Sequence, residues 1–168
     1  MECDERSARE RAYAEKLARM IRVRTVQEPG NAQSFEDFHA LLEELFPAVF
    51  ERCELKMFGD DWGSLLFCWR STFADEEKQP ALLLMSHQDV VDAEGPWTHE
   101  PFGGEIAEGR VWGRGALDIK GNLLCILQAL EELIEAGFSP AFDIYVASSD
   151  CEEIGGNDLV PSYLNEQQ

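Results

Sequence analysis

Over residues 7–24 apolar side chains return every three or four positions, with Tyr13, Leu17, Met20 and Ile21 sharing one face amid Arg, Glu and Ala. That period predicts an amphipathic helix. Glu28-Pro29-Gly30-Asn31 breaks it. A second helix is expected from an N-cap at Ser34, with Asp37 in its first turn and Phe38, Leu41, Leu42 and Leu45 on its buried face. Two short strands should follow near 53–58 and 64–70, and the polar stretch from Asp75 to Pro80 separates them from the next element.

Residues 81–86 form an unbroken run that ends abruptly in His87-Gln88-Asp89. A run without alternation predicts a strand buried on both faces. Glu108-Gly109 reads as the turn of a hairpin that leads to Gly113-Arg114-Gly115. A strongly amphipathic helix is expected over 119–136, where Leu123, Ile126, Leu127, Leu130, Leu133 and Ile134 line one side and Gly137 ends it. Residues 142–148 give a last apolar strand, which also ends in acid, at Asp150-Cys151-Glu152-Glu153. Strand, helix, strand in that order predicts a βαβ unit with parallel pairing and a right-handed crossover. The expected fold class is therefore α/β, with a mostly parallel sheet and helices on both faces. Both strands would release their polar residues at the carboxyl edge, where open α/β sheets hold ligands.

Composition narrows the function. The chain has 168 residues, 14 Lys+Arg and 33 Asp+Glu, a formal net charge of −19. Its basic residues cluster: residues 1–24 carry seven basic and five acidic side chains, and the remainder is strongly acidic. Such a field repels phosphate backbones and anionic lipid, so neither nucleic acid nor a membrane surface is an expected partner. Metal cations are not disfavoured. No apolar run approaches the length of a membrane span, and the first twenty residues lack the apolar stretch of a signal peptide. Five widely spaced cysteines without a Cys-x-x-Cys pair read as reduced thiols, which makes the cytoplasm the expected compartment.

Three clusters converge on the sheet edge: His87 with Asp89, Asp118 ahead of the crossover helix, and Glu152 with Glu153. One histidine among several carboxylates suits a divalent metal, zinc first, with manganese or cobalt as alternatives. Asp89 lies two residues beyond His87 and could orient its imidazole. Of the adjacent glutamates, one could ligate metal while the other handles a proton. Each residue also has a structural reading. Asp118 could cap the crossover helix, and the glutamate pair could serve a helix dipole. A metal-free glycosidase using Glu152 and a second acid would leave His87 and Asp89 without a role.

Four motifs then fall in one order: Ser86-His87-Gln88-Asp89-Val90-Val91; Trp97 with Pro101-Phe102; Gly113-Arg114-Gly115-Ala116-Leu117-Asp118-Ile119-Lys120-Gly121; and Glu152-Glu153-Ile154-Gly155-Gly156. Together they resemble the M20 metallopeptidases and deacylases, with the wording nearest the carboxypeptidase S-like and dipeptidase-like branches. The resemblance implies a di-zinc hydrolase of a peptide or N-acyl amino acid. It assigns His87 to the first zinc, Asp118 to a bridge between both, and Glu153 to the second. Glu152 would be the general base that later protonates the leaving amine, and Asp89 the carboxylate that holds His87. Cys151 would be a neutral packed thiol.

The resemblance also implies pieces that lie beyond this sequence. Residues 1–168 correspond to the N-terminal part of a catalytic domain, with the lid or dimerisation domain absent. One further ligand for each zinc is expected after the Glu-Glu-Ile-Gly-Gly motif. The uncovered sheet would expose an apolar edge open to self-association. A metal-binding or interaction module without turnover is the alternative function. His39 is expected on a helix surface, and His99 in a loop near the substrate.

Overall fold

A computed structural model describes residues 2–59, 63–73, 79–155 and Tyr163, with side chains from Ser7 onward. Three helices open the chain: α1 (Glu2–Arg22), α2 (Ala32–Leu45) and α3 (Pro47–Arg52). Strands β1 (Glu54–Phe58), β2 (Ser64–Trp69) and β3 (Leu82–His87) follow. A small hairpin of β4 (Glu105–Ala107) and β5 (Arg110–Trp112) precedes α4 (Lys120–Glu135), β6 (Ile144–Ser149) and a 3-10 turn at Glu152–Ile154. The strand order of the main sheet is β1-β2-β6-β3.

The βαβ unit forms as its pattern predicts. β3 and β6 pair in parallel, joined through α4, with Leu82 opposite Ile144 and His87 opposite Ser149. The rest of the sheet is antiparallel, since β2 pairs that way with both β1 and β6. The sheet is thus mixed, which corrects the expectation of a mostly parallel one. A connection of only five residues joins β1 to β2, too short for the crossover that parallel strands need.

Alternation along β2 divides the core. Leu65, Phe67 and Trp69 point into a layer made by Met20 of α1, Phe38, Leu42 and Leu45 of α2, Val49 of α3 and Leu123, Leu127 and Leu130 of α4. Burying each such side chain contributes roughly 1.5–3 kcal/mol, so this layer dominates the stability. The other face holds a small cluster, Leu66 and Ala147 with Phe58, Tyr145 and Tyr163. The four helices α1–α4 therefore share one face, not both; the helix expected after the glutamate pair lies mostly outside the described residues.

β3 departs most from its pattern. It is an edge strand among the described residues, and Leu82, Leu83 and Met85 are 40%, 42% and 62% exposed. Only its carboxyl end, Ser86 and His87, is buried. An unalternated apolar run fits any strand with apolar surroundings on both sides, and says nothing of which neighbour supplies them.

Local signals held closer to expectation. Glu108 and Gly109 both take positive φ, 55° and 72°, as a two-residue hairpin turn requires. α4 ends in a Schellman arrangement: the Phe138 N–H bonds to Leu133 O and the Gly137 N–H to Ile134 O, both at 2.9 Å. The second helix starts earlier than Ser34. Asn31 is the N-cap residue, and Ser34 Oγ donates to Asn31 Oδ1 at 2.6 Å from inside the first turn. α3 has no pattern of its own, and its start is held from a distance. The buried Glu131 of α4 accepts the N–H groups of Ala48 and Val49 at 3.0 and 2.9 Å. Among the described residues no helix is long and apolar enough to cross a membrane.

Candidate metal centre

The parallel register brings the polar clusters together. His87 is the last residue of β3 and lies opposite Ser149, so the chain leaving β6 emerges beside the imidazole. The loop after β3 is pinned at once. Gln88 N–H bonds to Ser149 O at 2.8 Å, and Val90 N–H to Thr25 O at 3.0 Å. The Gln88 side chain is wholly buried, with Nε2 donating to Gly63 O at 2.8 Å and Oε1 accepting from His39 Nε2 at 2.9 Å. His39 is thus a half-buried tie between α2 and this loop, not the surface residue its position suggested. Burial lowers its pKa, against the opposing pull of Gln88, Asp150 and Glu36.

Asp89 is completely buried. The strand has ended by then, so Asp89 reaches His87 through a turn and not through the two-residue repeat of a strand. His87 Nδ1 lies 3.0 Å from the backbone carbonyl of Asp89 and 3.4 Å from its Oδ1. The other carboxylate oxygen, Oδ2, accepts the backbone N–H of Glu153 at 2.9 Å. Asp89 therefore meets the histidine through its backbone carbonyl, with Oδ1 close behind, and holds the segment that carries the glutamates through Oδ2.

Asp118 reaches the same place from the Gly-Arg-Gly loop. A Cβ at Gly113 would sit 2.5 Å from Ile21 Cγ2 and 2.9 Å from Pro101 O, and Gly113 has φ 149°. Glycine there lets the loop lie against α1. Asp118 does not cap α4: Ile119 occupies the N-cap position, without a side-chain cap hydrogen bond. Its peptide bond to Ile119 is cis. Two residues on, Lys120 is fully buried, donating from Nζ to Met20 O at 3.1 Å and Val23 O at 2.7 Å, with the Phe38 ring 4.6 Å away. Burial pushes its ammonium down to about 7, with the Asp89 charge opposing.

These elements place His87, Asp118 and Glu153 so that each offers one ligand atom and all three atoms lie within 4.8 Å of one another. His87 Nε2 is 3.2 Å from Asp118 Oδ1 and 3.6 Å from Glu152 Oε2. Every residue proposed for the site is thus gathered at one edge: Asp89 buried behind the imidazole, Asp118, Glu152 and Glu153 in front. Burial disfavours a charged His87, but its hydrogen bonds to Asp89 and the charges of Asp89 and Glu152 outweigh this and raise it to about 9. The cluster holds more negative charge than one imidazolium balances. Imidazole and carboxylate together are a donor set that fits a divalent cation. Cys151 is half-buried, and burial together with Asp150 pushes its thiol up to about 11, so it stays neutral. His99 lies apart from this group, its Nδ1 2.8 Å from Glu105 Oε2 and its ring stacked on Trp112 at 4.2 Å.

Gln88, His39 and Lys120 are the supporting residues that sequence reasoning did not find. Gln88 sits inside the His-Gln-Asp motif, where its polarity at a buried strand end was the available signal. Lys120 carried none, since a lysine in the first turn of a helix is ordinarily solvated.

Known proteins share this arrangement of chain. A probable carboxypeptidase S-like 2 of Dictyostelium discoideum is 35% identical over 153 residues, covering 86% of this chain and 28% of its own length. The zebrafish (Danio rerio) N-fatty-acyl-amino acid synthase/hydrolase PM20D1.1 is 34% identical over 137 residues, covering 80% of this chain and 26% of its own. The chain thus spans under a third of either relative. In fold it is similar to human carnosine dipeptidase 1, with a TM-score of 0.69 at 17% identity, over 95% of this chain and 36% of that one. Residues 83–166, from β3 through the glutamate pair, match the profile of peptidase family M20/M25/M40, and the chain belongs to that family.

Proposed function

We propose that this chain is the N-terminal part of the catalytic domain of a di-zinc hydrolase that cleaves an amide bond in a peptide or N-acyl amino acid. The observation that carries the reading is the convergence of His87, Asp118 and Glu153 within 4.8 Å at the carboxyl edge of the β3–β6 pair. Imidazole and carboxylate are the donor types that zinc takes, with cobalt or manganese as alternatives. His87 would hold one ion through Nε2 and Glu153 the other, with Asp118 between them. Bound there, the ions supply Lewis-acid polarisation of the carbonyl and acidify the attacking water.

The chain's own residues do the rest. Asp89 holds Nδ1 of His87, which leaves Nε2 directed at the ligand position. Glu152, 3.6 Å from that nitrogen, is the base that takes a proton from water and returns it to the leaving amine. The name of one relative, carboxypeptidase S-like, and of another, an N-fatty-acyl-amino acid hydrolase, supports amides of amino acids as the substrate class.

The test is zinc bound per chain by equilibrium dialysis and metal analysis, for this protein and Asp118→Ala, followed by a panel of dipeptides and N-acyl amino acids. The expected result is near-stoichiometric zinc lost in the variant, with chelator-sensitive hydrolysis. Equal, negligible zinc in both proteins overturns the reading. Zinc without turnover favours a metal-holding module, the alternative that the 28% coverage of the carboxypeptidase S-like relative keeps in view.

A further inference from the structure

The turn that joins His87 to Asp89 is fastened through the residue between them. Gln88 is wholly buried, and its polar groups find partners on four different segments. Its backbone N–H goes to Ser149 O at the end of β6, and its carbonyl accepts from Thr25 Oγ1 in the α1–α2 connection. Its side-chain Nε2 donates to Gly63 O at 2.8 Å, and its Oε1 lies 2.9 Å from His39 Nε2 on α2. A buried amide partnered at both ends specifies one geometry, because a shift leaves polar groups unsatisfied away from water.

The direction of the His39–Gln88 bond follows from the carbonyl beyond it. Gly63 O can only accept, so it holds the Gln88 amide N–H and turns Oε1 towards α2. An oxygen facing the imidazole needs a donor, and His39 therefore carries a proton on Nε2. The ring lies against Gly63, where a Cβ would stand 3.6 Å from His39 Cε1 and 3.0 Å from Met57 Cε, at a φ of 82° that favours glycine.

From Gly63 the same fastening runs on to the glutamates. Ser64, the next residue, is wholly buried; its Oγ donates to Asp150 Oδ1 and accepts the Asp150 N–H at 3.1 Å. Asp150 lies two residues before Glu152. Gln88 thus stands where two supports branch. One runs along its own backbone to His87 and Asp89, the other through Gly63 and Ser64 to the segment of Glu152 and Glu153. The second support is separate from the bond between Asp89 Oδ2 and the Glu153 N–H.

We propose that Gln88, oriented by the Nε2–H of His39, is a positioning residue of the metal centre, setting His87 and Asp89 at the spacing from the glutamate segment that a shared metal site needs. It acts through its neighbours, since both ends of its amide are already engaged. The inference rests on the metal-centre reading for its zinc measurement alone.

The experiment compares the full chain with Gln88→Met, His39→Leu and His39→Gln. Zinc affinity is read by competition with a chromophoric chelator, below the onset of thermal unfolding of every variant, where a loss of stability alone leaves affinity unchanged. Gln88→Met keeps the length of the side chain and removes its polar ends, so affinity should fall roughly 10–100-fold, as for groups that orient metal ligands. His39→Leu should fall at least about tenfold. His39→Gln, whose Nε2 can donate from the same place, should recover most of that loss. In the zinc-free chain, hydrogen exchange of the Glu153 N–H is compared with that of Phe67 in β2. Exchange should quicken at least about tenfold at Glu153, and not at Phe67, in Gln88→Met and His39→Leu.

Unchanged zinc affinity in Gln88→Met, or equal affinity in the two His39 variants, overturns the inference. So does exchange that quickens equally at Glu153 and Phe67, which reports a general loosening. A parent chain that binds no zinc sinks the metal-centre reading, and exchange then decides the inference by itself. Glu153 quickened alone sustains the fastening, and Glu153 unchanged overturns it. If Gln88→Met does not fold, the two His39 variants carry both measurements.

Discussion

The buried carboxylate of Asp89 accepts the backbone N–H of Glu153 at 2.9 Å while its other oxygen lies 3.4 Å from His87 Nδ1. A residue just past β3 thus sets the position of two groups that β3 and β6 deliver separately. Orientation of the imidazole and placement of the glutamates are one mechanical unit.

Asp89→Asn tests that unit. The amide keeps one acceptor oxygen but brings two N–H groups, so it cannot accept from both Glu153 N–H and His87 Nδ1–H. Zinc affinity is expected to fall roughly 10–100-fold, as for loss of a carboxylate behind a metal-binding histidine. Isothermal titration of zinc into both proteins measures it. Unchanged affinity would show that His87 is oriented by its backbone contact alone.

Lys120→Met tests the support under Asp118. When neutral, Lys120 still donates to Met20 O and Val23 O at the end of α1, so its loss leaves carbonyls there unpaired. At pH 10.5 and above, where Lys120 is neutral in both folded and unfolded chains, the variant should lose about 1–3 kcal/mol. The pH dependence has a definite sign. The unfolded lysine titrates near 10.5 and the folded one near 7, so between these values the unfolded chain binds the extra proton. Stability of the parent relative to the variant therefore rises with pH from about 7 towards 10.5 and is flat below 7. Urea unfolding of both proteins from pH 6 to pH 10 checks this; a constant difference would mean that Lys120 does not change its proton between the two states.

Glu131→Ala removes the carboxylate that receives the first N–H groups of α3. With both donors at Ala48 and Val49 left without it, a loss of roughly 1–3 kcal/mol is expected. Glu131→Gln, which keeps one acceptor oxygen, should lose less. Thermal unfolding of the pair distinguishes them, and equal stability of all three proteins would remove Glu131 from any role in holding α3.

The sequence by itself determined the elements whose signals are local. Glu108-Gly109 turns because a two-residue hairpin demands positive φ, and Gly137 ends α4 because it alone there takes the left-handed conformation without cost. The β3–α4–β6 order also made the parallel pair legible, and with it the edge at which His87, Asp118 and the glutamates meet. Tertiary structure decided what depends on neighbours distant in sequence. It set the mixed strand order and left β3 at an edge. It drew Asp118 away from the helix cap, buried Lys120 under the end of α1, and tied His39 to Gln88. Hydrophobic period fixes which face of an element wants cover, but only packing chooses the element that covers it and the polar groups that must then find partners.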